Sequence, residues 1–254
     1  MKDYDKTLVV GDVHCAPGQN LRRADWLGKY IADTKPARLI YIGDFATIDS
    51  LSAWDRDKRK KMENRRYAKD MDSCNEFLDR VAMYAGKAMP GDRRYLMGNH
   101  EYREDRYIEY HPELEGYVDI NRQCGLESER GFAITPYKEY TKHKGIGFTH
   151  VPIQESGAPV SGKYATDRAL QVCDQSVIFG HTHKLNYVAV HPHGRKHLKE
   201  ALNVGCYFEH VDEYALGSVT SYWRGLVMLD HYKYGRFSYQ TIPMGKLRRE
   251  YGTK

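Results

Sequence analysis

Residues 7–14 read TLVVGDVH. The first four are β-branched or aliphatic, the character of a buried strand, and Gly11-Asp12 marks where that strand gives way to a polar loop. The pattern recurs: residues 38–44 read RLIYIGD, 94–101 RYLMGNHE, 146–150 IGFTH and 176–183 SVIFGHTH. Each is a short apolar run closed by a polar cluster. Helical spacing lies between several of them. Leu21, Ala24, Leu27 and Ile31 share one face behind Asn20 as a cap, and Ala165–Cys173 carries a second such pattern. Strands alternating with helices predict an α/β sheet. Beyond residue 185 the runs Asn186–His191, Leu198–Val204, Leu226–Leu229 and Arg236–Ile242 follow one another with Gly or Pro turns, so antiparallel pairing is expected there.

The chain has 254 residues, 41% apolar and 29% charged, the balance of a globular protein read here as a single domain over residues 1–254. No apolar run approaches the ~20 residues that span a bilayer, which excludes a membrane helix. The charged start MKDYDKTLVV lacks the apolar core of a signal peptide. Five widely spaced cysteines without a CxxC argue against a disulfide framework or a thiolate metal site, and the expected location is cytoplasmic. A net charge of +5 does not by itself point to nucleic acid.

Residues 49–86 stand apart as a helical insertion after the second strand. Residues 55–70 hold eight Lys/Arg against four acids, a local balance of +4, and Met71, Cys74, Leu78, Val81 and Ala85 follow at helical spacing. Two readings are open. The segment is one long helix with a solvated, charged start, or it is a basic lid whose Arg59, Lys60, Lys61, Arg65 and Arg66 contact a polyanion near a catalytic site. Residues 245–250, GKLRRE, read as a solvated basic tail. The histidines outside the clusters read as surface or supporting residues, with His111 and His210 the two to place relative to the site.

Loops at the carboxyl ends of parallel strands converge on one crevice. Those loops here offer Asp12, His14, Asp44, Asn99, His100, Glu101, His150, His181 and His183. Carboxylate, amide and imidazole donors without sulfur suit borderline divalent ions. There are too many donors for one ion and enough for two, the arrangement used for in-line displacement at phosphorus. A lone DxH or HxH means little. Five such clusters, each behind a β run, are the discriminating signal.

In this order the clusters GDVH, IGD, MGNHE, THV and FGHTH resemble the signature of the calcineurin-like metallophosphoesterases, over residues 11–183. The resemblance implies a four-layer α/β/β/α sandwich with a binuclear metal site. It implies that Asp12, His14 and His183 bind one ion, that Asp44 bridges, and that Asn99, His150 and His181 bind the other. His100 would face the phosphoryl group and the leaving oxygen as the catalytic residue alongside Asn99. Glu101 has two readings beside these: it fixes a neighbouring imidazole from behind, or it is a solvated carboxylate in the first turn of a helix. Two divalent ions are implied, Mn²⁺ first, with Fe, Zn, Co or Ni suited to the same donors. The phosphoprotein phosphatases of this superfamily continue Gly-Asp with V-D-R-G and place an Arg before G-N-H-E. This chain has Phe45-Ala46-Thr47-Ile48 and Leu96-Met97 instead. These motifs do not fix the subfamily; the basic stretch 56–69, whose Lys/Arg can neutralise backbone phosphates, makes hydrolysis of phosphodiester bonds of nucleotides or nucleic acid by a metal-bridging hydroxide the expected activity. A phosphomonoesterase is the second reading and a non-enzymatic scaffold on the same fold the third. The expected partner is a phosphate ester, with nucleic acid admitted and no membrane; the oligomeric state is left open.

Overall fold

The structure is a computed structural model and describes residues 5–194, 196–210 and 221–252. Eleven strands are defined among them: β1 Lys6–Val10, β2 Arg38–Tyr41, β3 Asp92–Leu96, β4 Ala133–Thr135, β5 Thr141–His143, β6 Ile146–Phe148, β7 Ser176–Phe179, β8 Leu185–Val190, β9 Lys199–Val204, β10 Gly225–His231 and β11 Phe237–Pro243. The α-helices are α1 Arg22–Thr34, α2 Arg59–Met62, α3 Tyr67–Ala85, α4 Arg103–Ile108, α5 Ile120–Gln123, α6 Ala165–Val172 and α7 Met244–Tyr251. One sheet has the order β11-β10-β1-β2-β3-β4 and the other β5-β6-β7-β9-β8.

Alternation along the strands sorts the apolar side chains into layers. In β1, Leu8 and Val10 join the core under α1 and α3, whereas Val9 joins the core between the sheets. In β2, Leu39 and Tyr41 face the helices and Ile40 faces the second sheet. Across the gap Phe148, Ile178 and Leu202 complete the middle core, while Val177, Phe179 and Ala201 pack under α6. The outcome is the expected α/β/β/α sandwich. Each fully buried side chain of these cores contributes roughly 1.5–3 kcal/mol.

The antiparallel expectation for the last strands holds for β8 with β9 and for β10 with β1 and β11. On its other side β9 runs parallel to β7, a strand from before residue 185. The charged segment is not one long helix. After a 3₁₀ turn at Asp49–Leu51, α2 spans four residues and stops where Glu63 turns extended (ψ 130°) and Asn64 turns left-handed (φ 63°). Only α3 buries an apolar face, through Met71, Cys74, Phe77, Leu78 and Val81. The basic tail is likewise not simply solvated. It forms α7, which buries Met244 and Leu247, and Tyr251 Oη donates to Asp33 Oδ2 (2.8 Å). Among the described residues no helix is long and apolar enough to cross a membrane.

Candidate metal centre

The parallel neighbours β1, β2 and β3 of one sheet and β6 and β7 of the other end on Asp12, Asp44, Asn99, His150 and His181. Backbone hydrogen bonds fasten the loops together. Val13 and His14 N–H both donate to Asp44 O (3.1 and 3.0 Å), and Cys15 N–H donates to Phe45 O (2.7 Å). His100 N–H donates to Asp44 Oδ1 (2.9 Å), and His181 N–H donates to Asp12 Oδ2 (3.1 Å). His14, Asp44, His181 and His183 all have positive φ (48°, 46°, 69° and 58°), uncommon in residues with a side chain. Such conformations persist only where the surroundings over-determine them, and they cluster at functional sites. Two glycines make the close approach feasible: a Cβ on Gly98 would run into Asp44, and one on Gly180 into Asp12.

Three groupings of side-chain donors arise, each with its candidate atoms within 4.8 Å of one another: Asp12–His14–His183, His14–Asp44–His100 and Asp44–His150–His181. Asn99 Oδ1 lies 3.1 Å from His150 Nε2, which adds the amide to the third. His14 Nε2 lies 3.2 Å from His183 Nε2, and His183 Nε2 lies 3.1 Å from Asp12 Oδ2. Asp12, His14, Asp44 and His150 are at most 2% exposed, so these lone pairs converge away from water. Two imidazoles are anchored from behind. His150 Nδ1–H donates to Ile42 O (3.1 Å) and His100 Nδ1–H donates to Thr47 O (2.8 Å), which leaves each Nε2 turned toward Asp44. That is the way a protein fixes the tautomer of a ligating histidine. The buried Nδ1 atoms of His14 and His181 have no hydrogen-bond partner. Carboxylate and imidazole donors gathered in this way fit divalent cations.

Burial and the neighbouring charges set the protonation of these groups. Burial raises the Asp44 carboxyl, but the His150 and His100 imidazoles beside it outweigh that, and its pKa falls well below the usual carboxylate range. Burial holds His14 well below its ordinary value and brings His181 down to about 4, which keeps both rings neutral. Burial opposes a proton on His150, yet Asp44 reverses the sign and lifts it to about 9.

Glu101 has a different place from the one expected. It is buried, and its oxygens accept from the N–H of Gly98 (2.8 Å), Ala46 (2.9 Å) and Asp44 (3.1 Å) and from Tyr95 Oη (3.2 Å), not from an imidazole. It ties the Gly98 and Asp44 loops to each other. Burial and the Asp44 charge raise it to about 7. Beside His100 opens a cleft of about 460 Å³ lined by Trp54, Lys58, Lys61, Arg65, Arg103 and His210, among others. Of the five cations singled out from the sequence, Lys61 and Arg65 line it and Arg59, Lys60 and Arg66 do not. His111 stacks on Tyr107 outside the cleft lining (centroids 4.3 Å apart).

Three residues were not found from sequence. Arg23, 2% exposed, donates to Val13 O (3.4 Å) and Gln19 Oε1 (2.8 Å) and so braces the Asp12–His14 loop from α1. Arg103 donates to Thr47 O (2.9 Å) and Asp49 Oδ1 (3.1 Å) at the cleft wall. Trp54, 84% exposed, stands at the cleft. A lone Arg or Trp in a charged stretch has no periodic signature; an arginine on the apolar face of α1 was the one available hint.

The model of the calcineurin-like phosphoesterase family matches residues 6–185. The gene 54 proteins of Mycobacterium phages D29 and L5 are each 26% identical to this chain over 183 residues, covering 70% of it and 69% of their own length. Among solved structures, Vps29 of Chaetomium thermophilum superposes with a TM-score of 0.43 at 11% identity, over 93% of this chain and 96% of its own.

Proposed function

The chain belongs to the calcineurin-like phosphoesterase family, and from that premise we propose that it hydrolyses phosphodiester bonds in nucleotides or nucleic acid, acting as one catalytic unit over its whole length. The observation that carries the reading is the place of Asp44 between the donors: it groups with His150 and His181 on one side and with His14, itself a member of the Asp12–His14–His183 grouping, on the other. Asp12, His14 and His183 would hold one divalent ion, and Asn99, His150 and His181 the other, with Asp44 common to both. Two such ions supply Lewis-acid activation of water and of the phosphoryl group. Manganese is the first candidate, since imidazole and carboxylate donors accept it.

The chain's own residues do the rest. Asn99 can hydrogen-bond a phosphoryl oxygen through its amide N–H. His100 presents Nε2 to the site because Thr47 O holds Nδ1, so it is placed to give a proton to the departing oxygen. Arg103, which lines the cleft beside His100 and donates to the same Thr47 O, would bring a guanidinium that the motif positions lack. Lys58 and Lys61, side chains 56% and 43% exposed, favour an anionic substrate longer than the reacting phosphate. The cleft's cations, with Asp49 and Asp55 as its carboxylates, favour the diester reading over a phosphomonoesterase for small substrates.

A substrate panel tests it. The Mn²⁺-loaded protein is assayed on bis-p-nitrophenyl phosphate, p-nitrophenyl phosphate, single-stranded DNA and a cyclic nucleotide. Turnover of the diesters well above the monoester is expected. A monoester preference would transfer the chain to the phosphatases, and inactivity on all four with metal bound would remove the enzymatic reading.

A further inference from the structure

At the opposite pole of the sandwich lies a second cleft, of about 1150 Å³. It opens at the N-terminal ends of the parallel strands, where β6 and β7 begin and β10 ends, so the length of the strands separates it from the metal centre. Five residues at ~3.3 Å each make that roughly 16 Å. The two clefts share no lining residue.

Its lining is cationic. Lys144, Lys196, Lys199 and Lys233 surround it with Asp174 as the carboxylate. Lys144 reaches Asp5 Oδ2 (3.1 Å) and Lys199 donates to Cys173 O (2.9 Å). Among the described residues no ion pair holds Lys196 or Lys233. Like charges gathered in one concavity repel one another and focus a positive potential that an anion relieves. The rim is aromatic: His197 and Tyr234 stack face to face, 4.2 Å apart and 6° from parallel, and Tyr234 is 69% exposed. At the inner end His231 is 6% exposed. Its Nε2 lies 2.7 Å from Thr7 Oγ1, and its Nδ1 has no partner. The floor is firm, because the Lys144-Gly145 and Tyr234-Gly235 turns interlock so closely that a Cβ on Gly235 would meet Gly145 O at 2.6 Å.

We propose that this cleft binds a mononucleotide, with Lys196 and Lys233 on the phosphate and the Tyr234–His197 stack against the base. A flat π-face beside ammonium groups on long flexible stems is a combination that recognises a phosphate joined to an aromatic ring; base–aromatic stacking is sequence-tolerant and substantial. A bare anion would need no stack, and an uncharged aromatic would need no lysines.

The test is calorimetric titration of the metal-loaded protein with AMP, inorganic phosphate and adenosine. Three variants are compared: Lys196→Ser/Lys233→Ser, Tyr234→Ala and Asp44→Asn. The double lysine variant should weaken AMP binding at this site by about tenfold or more, as loss of charge-assisted hydrogen bonds does. It should leave hydrolysis of bis-p-nitrophenyl phosphate unchanged. Tyr234→Ala should weaken AMP but not inorganic phosphate, and adenosine should bind more weakly than AMP. Asp44→Asn should leave this AMP site intact, which separates it from nucleotide held at the metal centre. AMP affinity unchanged in the lysine variant would overturn the proposal. So would AMP binding that disappears with Asp44→Asn, or inorganic phosphate binding as tightly as AMP.

Discussion

His100 sits beside a candidate metal ligand, Asn99, yet its ring is held from behind by Thr47 O and its Nε2 lies 4.0 Å from Asp44 Oδ2. Geometry alone groups it with His14 and Asp44 as a third set of donors. The proposed role as proton donor and a role as ligand make different forecasts. His100→Ala should keep its bound ions and lose turnover by roughly 10²–10⁴, the usual worth of a general acid. The loss should be small for nitrophenolate, which departs without a proton, and large for an alkoxide. Equal losses on both leaving groups, or loss of metal, would assign His100 to the ligands. Glu101 shows where reading residues from sequence fell short. Its type and position suggested a partner for an imidazole, but the partners are the nearby Gly98 N–H and Tyr95 hydroxyl together with the N–H groups of Asp44 and Ala46 on a loop more than fifty residues away. A side chain that ties loops together has no local pattern to reveal it.

At the scale of elements, the segment between β2 and β3 divides its work. The side of the charged stretch toward the cleft carries Lys58, Lys61 and Arg65, and Asp55 engages all three (2.8, 3.7 and 3.3 Å). Arg59, Lys60 and Arg66 are outside the cleft lining. The cationic excess counted along the sequence is therefore partly neutralised within the segment, and only part of it borders the site. If the cleft takes a polyanion, Lys58→Ser/Lys61→Ser should raise KM for an oligonucleotide. It should also lower the log–log salt slope by about 0.7–0.9 for each phosphate that the variant no longer neutralises. Arg59→Ser/Lys60→Ser/Arg66→Ser should change neither. Equal effects from both sets would mean a diffuse field rather than a binding surface. The apolar spacing from Met71 to Ala85 was legible because a helix packing on a core must repeat every three to four residues. The break at Glu63-Asn64 was not, because both residues are tolerated in a helix and only their backbone angles end it.

Across the whole molecule, two sheets bring five strand ends to one pole. That each is an apolar run closed by a polar cluster could be read from the sequence; which of Leu8, Val9 and Val10 faces which layer could not, because an unbroken apolar run carries no polar alternation. The parallel pairing of β9 with β7 could not, since strand neighbours distant in sequence leave no periodic trace. Nor could the placement of His143 and His231, which read as surface or supporting residues. Their rings meet edge to face (4.8 Å) at the other pole, and His231 is buried. The central claim is that Asp44 joins two cation sites into one centre, and metal stoichiometry tests it most directly. The protein and Asp44→Asn are loaded with Mn²⁺, freed of unbound ion and analysed for metal and for turnover of a small diester. The account predicts about two ions per chain in the parent, and loss of bound metal together with a fall in turnover of about 10²-fold or more in the variant. Two ions retained with turnover unchanged in Asp44→Asn would contradict it.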